Sequence, residues 1–196
     1  MAMNRKPLKI VLTGAPSSGK SSTMRELQRV FGDQVALVPE SAVVLLSGGF
    51  PAPQHGDVEQ IRAFQKAILQ VQAGLEQIIP RQHPLAKVYI FDRGSLDGAG
   101  FWPLGAEDFL KQFGLTRENE FAKFDHVLFM ELPSPEAFGG VNQLRFHDYQ
   151  QSKQSEEQLR ETWGSHPGFK EIKAQATLEE KTSLVVGLVR SLLNKA

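Results

Sequence analysis

Eight residues near the start of the chain constrain it more than any others. Gly14-Ala15-Pro16-Ser17-Ser18-Gly19-Lys20-Ser21 fits the pattern G-x-x-x-x-G-K-[ST] at every fixed position. The pattern has a physical reason. Glycines at both ends allow backbone angles that turn main-chain N–H groups toward a phosphate. A helix opening at Lys20 adds unpaired donors and the positive end of its dipole. Lys20 reaches the β- and γ-phosphates as a point charge. Ser21 offers a hydroxyl oxygen to Mg²⁺, a hard cation. Gly14, Ala15, Pro16, Ser17, Ser18, Gly19, Lys20, Ser21 and the adjoining Ser22 are therefore the candidate nucleotide-binding residues. Pro16 and the serines are expected to occupy the variable positions without strain. The flanks agree: the apolar run Leu8–Thr13 reads as a buried strand, and Met24, Leu27 and Phe31 recur at helical spacing from Lys20 to Phe31.

The rest of the chain alternates in the same way. Val35–Val38, Lys87–Phe91, His126–Met130 and Phe169–Lys173 read as further short strands. Between them lie helical stretches. Asp57 with Gln60 predicts a capped helix carrying Ile61, Phe64, Ile68, Val71, Leu75, Ile78 and Ile79 as one apolar stripe, ended by Pro80. Gly94 to Phe124 reads as short helices with an aromatic cluster, Phe101, Trp102, Phe109, Phe113, Phe121 and Phe124, that could stack an acceptor ring but is read first as their core. Ser155 reads as the cap of a helix holding Leu159 and Trp163. Thr177 with Glu180 caps the last helix. The strands are apolar throughout rather than alternating, which predicts a parallel sheet covered by helices on both faces. The expected class is α/β, a three-layer sandwich with five parallel strands and a small lid, in a single domain over 1–196.

Two acids complete the candidate chemistry. Asp92 follows the third strand and precedes Arg93; an acid at a strand's carboxyl end faces the ligand crevice and can hold a Mg²⁺ shell. Arg93 would meet a phosphate or the acceptor. The competing reading is a turn ion pair. Glu40 ends the second strand, where a carboxylate could take the proton of an attacking hydroxyl. It could equally be a helix-start glutamate favoured by the dipole.

Composition narrows the class. Lys and Arg total 22 and so do Asp and Glu, so the formal charge is zero. This argues against a nucleic-acid coating protein. Cysteine is absent, which excludes disulfides and thiolate chemistry. No apolar run approaches the roughly 20 residues of a membrane span, and no signal core follows the start, so a cytoplasmic location without membrane contact is expected. The five histidines lack metal-site spacing and read as surface or loop residues. No G-x-S-x-G elbow and no strand-linked G-x-G-x-x-G occurs.

Taken together, Thr13 to Ser21, Val38-Pro39-Glu40-Ser41-Ala42 and Phe91-Asp92-Arg93-Gly94-Ser95-Leu96-Asp97 resemble the small AAA-type ATPase/kinase domain of nicotinamide riboside kinase modules in bacterial NAD-biosynthesis regulators. They are more distantly similar to thymidylate and deoxynucleoside kinases. The resemblance implies a P-loop fold that binds ATP and Mg²⁺ and phosphorylates a nucleoside, nucleotide or similar small acceptor. Lys20 and Ser21 would hold ATP and Mg²⁺. Glu40 or Asp92 would be base or metal ligand, Asp92 with Ser21 being the candidate metal pair. Gln65 would lie near the acceptor, beside its plain reading as a surface glutamine. Residues 134–165 would form the lid, with Arg145 as candidate catalytic arginine and Arg160 as an exposed helix residue. His147 stands where relatives carry an acid, and the Trp-Pro-Glu-Pro style motif of deoxynucleoside kinases is absent. Two functions follow: a Mg²⁺-dependent small-molecule kinase, or a nucleotide-dependent switch or slow NTPase acting on a protein partner. Neither reading specifies an oligomeric state.

Overall fold

The computed structural model describes residues 6–54, 56–138 and 148–195. Its centre is a parallel sheet of five strands: β1 (Leu8–Thr13), β2 (Val35–Val38), β3 (Val88–Asp92), β4 (His126–Met130) and β5 (Phe169–Ile172). They lie in the order β2-β3-β1-β4-β5. β1 is central, pairing Leu8 with Val88 on one side and Ile10 with His126 on the other. The carboxyl ends of β1, β3 and β4 therefore emerge side by side.

Successive side chains of a strand point to opposite faces, and both faces are apolar. Ile10, Leu12, Ile90 and Leu128 pack on one face against Met24 and Leu27 of α1 (Lys20–Phe31) and Val185 and Val189 of α7 (Leu178–Lys195). Val11, Phe91 and Val127 pack on the other against Leu75 and Ile79 of α3 (Val58–Gln82) and Trp163 of α6 (Tyr149–Trp163). Short helices α2 (Ser41–Ser47), α4 (Ala106–Phe113) and α5 (Arg117–Phe121) fill the connections. A 3₁₀ segment at Ser95–Phe101 follows β3. Trp102 and Phe109 form a third apolar cluster with Phe113, the packing role expected of the aromatics there. No helix among the described residues is long and apolar enough to cross a membrane.

Four local expectations need correction. Pro80 lies inside α3, which runs on to Gln82; a proline in the last turn forfeits one main-chain bond, and Ile79 beside it is anchored in the core. Ser155 does not start α6. Asp148 does, accepting from Gln151 N at 2.9 Å while Gln151 Oε1 accepts from Asp148 N. His166 is buried, its ring bonded to the Phe121 and Phe124 carbonyls and to Gly168 N. Ser17 sits at φ 66, a left-handed conformation that costs a non-glycine residue about 1–2 kcal/mol; the turn is strained after all.

Candidate functional site

The turn between β1 and α1 wraps tightly because two glycines leave room for their neighbours. A Cβ on Gly14 (φ 137) would stand 2.3 Å from the Met130 carbonyl oxygen, and one on Gly19 (φ 98) 2.5 Å from Leu178 Cδ1. Gly19 caps α1 with no side-chain bond, so the first N–H groups of the helix are left for a ligand. Lys20 is buried and donates to the Gly14 carbonyl at 2.8 Å, the Ala15 carbonyl at 2.9 Å and Ser18 Oγ at 3.2 Å. Burial first, and then Arg93, lower its pKa to about 7, against the pull of Asp92, Glu40 and Asp97. Ser21 is exposed to the cavity beside it. Ser22 lies one residue further along, with Oγ accepting from Arg25.

Arg93 binds the acids together. It occupies φ 73 directly after β3, its N–H donating to the Leu12 carbonyl at 3.1 Å. From there Nε reaches Glu40 Oε1 at 2.9 Å, and Nη1 reaches Gly14 O and Asp97 Oδ1, both at 3.1 Å. The guanidinium lies 5.0 Å from the centre of the Phe101 ring. Burial opposes its charge, but Glu40, Asp97 and Asp92 hold its pKa above the usual guanidinium range. The turn ion pair weighed for Asp92 and Arg93 is thus replaced by pairs with Glu40 and Asp97.

Asp97 is a residue whose role the chain's pattern did not disclose. Its Oδ1 accepts from Thr13 Oγ1 at 2.6 Å as well as from Arg93. Its Oδ2 accepts from Gly94 N at 2.9 Å and Trp163 Nε1 at 3.0 Å. One buried carboxylate thus ties β1, the turn after β3 and α6 together. The signal available in the chain was its spacing, four residues after Arg93.

Asp92 lies opposite Leu12 in the sheet register. Its Oδ1 is buried without a partner. Burial and the Glu40 carboxylate push its pKa up to about 6, against Lys20 and Arg93. An unpaired carboxylate oxygen near Lys20 and a free Ser21 hydroxyl suit Mg²⁺, which takes one or two protein oxygens and completes its shell with phosphate and water. No group of three or more His, Cys, Asp or Glu placed for a metal occurs among the described residues.

A cavity of about 1090 Å³ opens from this cluster. Lys20, Ser21, Glu40 and Arg93 line one end; Phe64, Gln65, Phe101 and Trp102 line the rest. Glu40 faces the cavity, whereas Asp92 is not among its lining residues. Gln65 is not a surface residue: it is 5% exposed, and Oε1 has no partner. On the far wall α6 presents Gln151, Gln154, Ser155 and Gln158. Arg160 turns away, bonding Glu171 of β5 at 2.8 Å over the Phe129 ring. Arg145 lies outside the described residues.

Two solved structures share this architecture. Deoxyadenosine kinase from M. mycoides with the products dCMP and a flexible dCDP bound matches at a TM-score of 0.61 and 15% identity, over 94% of this chain and 100% of that one. The same enzyme with dATP bound matches at a TM-score of 0.63 and 15% identity, over 93% and 99%. No curated protein sequence is significantly similar to the chain. The profile of the AAA domain family matches residues 9–181, most of the sequence. With its strand-turn-helix cradle and parallel sheet, the chain belongs to that AAA domain family.

Proposed function

We propose that the protein is a Mg²⁺-dependent kinase that moves the γ-phosphoryl group of ATP to a hydroxyl of a small acceptor of the nucleoside or nucleotide class. One observation carries the reading: the phosphate cradle and Glu40 face the same cavity, which is large enough for a drug-sized ligand. The fold likeness to a deoxyadenosine kinase supports the acceptor class.

In this reading the N–H groups of residues 14–21 and the Lys20 ammonium hold the β- and γ-phosphates. The acceptor hydroxyl lies beside Glu40. Its oxygen attacks the γ-phosphorus, its proton passes to the Glu40 carboxylate, and the bond to the β,γ-bridging oxygen breaks to leave ADP. Arg93, already charged and held by Glu40 and Asp97, faces the negative charge that spreads over the transferring group. Ser21 and Asp92 would hold Mg²⁺, which neutralises phosphate charge when bound. Glu40 is assigned the base and Asp92 the metal because Glu40 alone of the two lines the cavity. Most of the rate comes from positioning and charge, as phosphoryl transfer needs little covalent help. The cytoplasmic location expected from the sequence belongs to the same proposal.

Labelled ATP or GTP offered with a panel of nucleosides, nucleoside monophosphates and vitamin-like alcohols such as nicotinamide riboside tests this directly. Label should appear in one acceptor class. ADP formed at one unchanging rate with every acceptor would instead favour the NTPase or switch.

A further inference from the structure

Lys181, in the first turn of α7, is only 4% exposed and lies 163 residues from the cradle in sequence. Its ammonium donates to the Ser18 carbonyl oxygen at 2.9 Å and also to the Glu131 carbonyl oxygen, just past β4. The nearby carboxylates are engaged elsewhere. Glu131 Oε2 accepts from Ala174 N, and Glu156 accepts from Leu132 N and Lys153. Two main-chain carbonyls therefore receive a buried cation. Burial lowers its pKa to about 8, with Glu131 and Glu156 opposing.

In a trans peptide the C=O and the following N–H point in opposite directions, and no cis bond occurs among the described residues. A hydrogen bond on the Ser18 carbonyl thus orients the Gly19 N–H the opposite way, away from the Lys181 ammonium. The same turn of α7 also packs against the cradle and α1. Leu178 closes on Gly19, and Thr182 Oγ1 meets Thr23 Oγ1 of α1 at 3.1 Å. A charged donor also polarises the peptide it binds, strengthening the opposite N–H as a donor.

We propose that Lys181 is a positioning residue for the phosphate cradle: from α7 it fixes the Ser18–Gly19 peptide plane and ties it to the end of β4, presenting an N–H to polyphosphate. The proposal rests on the nucleotide-site reading above. It predicts that α7 and bound nucleotide stabilise each other.

The test is calorimetric titration of ATP and of ADP, with Mg²⁺, at a temperature well below unfolding. K181M keeps the aliphatic stem and removes the charge. Its Kd for both nucleotides should rise about tenfold or more, the loss expected for one charge-assisted hydrogen bond. KM for the acceptor at saturating ATP should stay unchanged. K181R should recover part of the affinity. T182V, which breaks the neighbouring contact without touching charge, should lower Tm and leave Kd within about twofold. If K181M does not fold, K181Q takes its place, with a rise of about threefold or more expected. Wild-type affinity in K181M, or in K181Q where that is the variant measured, would overturn the proposal. So would an equal loss in T182V, because packing alone would then explain it. Failure of the wild-type protein to bind either nucleotide would instead remove the nucleotide reading, and this inference with it.

Discussion

The Asp97 carboxylate offers the sharpest test of how the site is held. In Asp97→Asn one oxygen becomes an NH₂ group, and each oxygen now accepts from two donors. If the NH₂ replaces Oδ2, it meets Gly94 N–H and Trp163 Nε1–H, and two buried donors lose their acceptor. If it replaces Oδ1, the Thr13 hydroxyl can rotate to accept, but Arg93 meets a donor and loses its neighbouring charge. Arg93 keeps Glu40 and the Gly14 carbonyl in either case. The loss therefore falls short of the ~3–5 kcal/mol seen when a buried pair is broken outright. A charge-assisted hydrogen bond contributes about 1.5–3 kcal/mol, and an orphaned buried donor costs about 1–3 kcal/mol. A total near 3 kcal/mol follows. For a chain of this size that is a fall in Tm of about 6–12 °C. Urea unfolding should show the midpoint drop with an unchanged slope, the mark of altered stability rather than altered compactness. Trp163→Phe alone should cost about 2–3 kcal/mol, from the lost bond to the carboxylate and the space left by the smaller ring. The double variant should cost less than the sum, since both remove the same bond. A loss in Asp97→Asn below about 1 kcal/mol, or strict additivity with Trp163→Phe, would refute the idea that this carboxylate is the common tie.

Three further outcomes follow from the same geometry. Glu40→Gln should lower kcat for phosphoryl transfer by about 10²–10⁴ while nucleotide affinity changes little, read by steady-state kinetics beside calorimetry. Lys20 has its pKa lowered to about 7 before a ligand arrives, and phosphates favour its charged form; binding at pH 8 should therefore take up protons, and affinity should fall as pH rises above about 7. Calorimetry in buffers of differing ionisation heat measures that uptake, which K20R should lack. Finally, Gly74 in α3 and Gly187 in α7 have nothing within 4 Å of an added Cβ; each mutated to Ala should raise stability by about 0.5–1 kcal/mol in thermal unfolding.

Where local chemistry and the global fold agree, the chain is readable. The bounds of α1 follow from the glycine-rich turn before it and its amphipathic spacing after it. The strands are legible because a sheet buried on both faces leaves no polar alternation. Only the later half of α6 was legible, and its start was missed, because its buried side includes Ser152, Ser155, Glu156 and Thr162 and apolar periodicity marks only Leu159 and Trp163. Gln65 shared the difficulty: a polar residue on an apolar stripe reads as solvent-facing, yet it is enclosed by the cavity wall and the Gly98 backbone. The Glu40–Arg93 and Asp97–Arg93 pairs are set by three-dimensional register. The pattern placed Glu40 and Arg93 at strand ends but could not tell which acid the guanidinium would meet.

The central place of β1 has a bearing on how the molecule is made. β1 leaves the ribosome well before its hydrogen-bonding neighbours at Val88 and His126. At roughly 5–20 residues per second of synthesis, Leu8–Thr13 spends several seconds as an apolar ribbon with both edges bare. The cradle that follows it is complete only once α7 delivers Lys181 to Ser18. A nascent chain released before α7 would thus carry the whole phosphate motif and lack the clasp that shapes it.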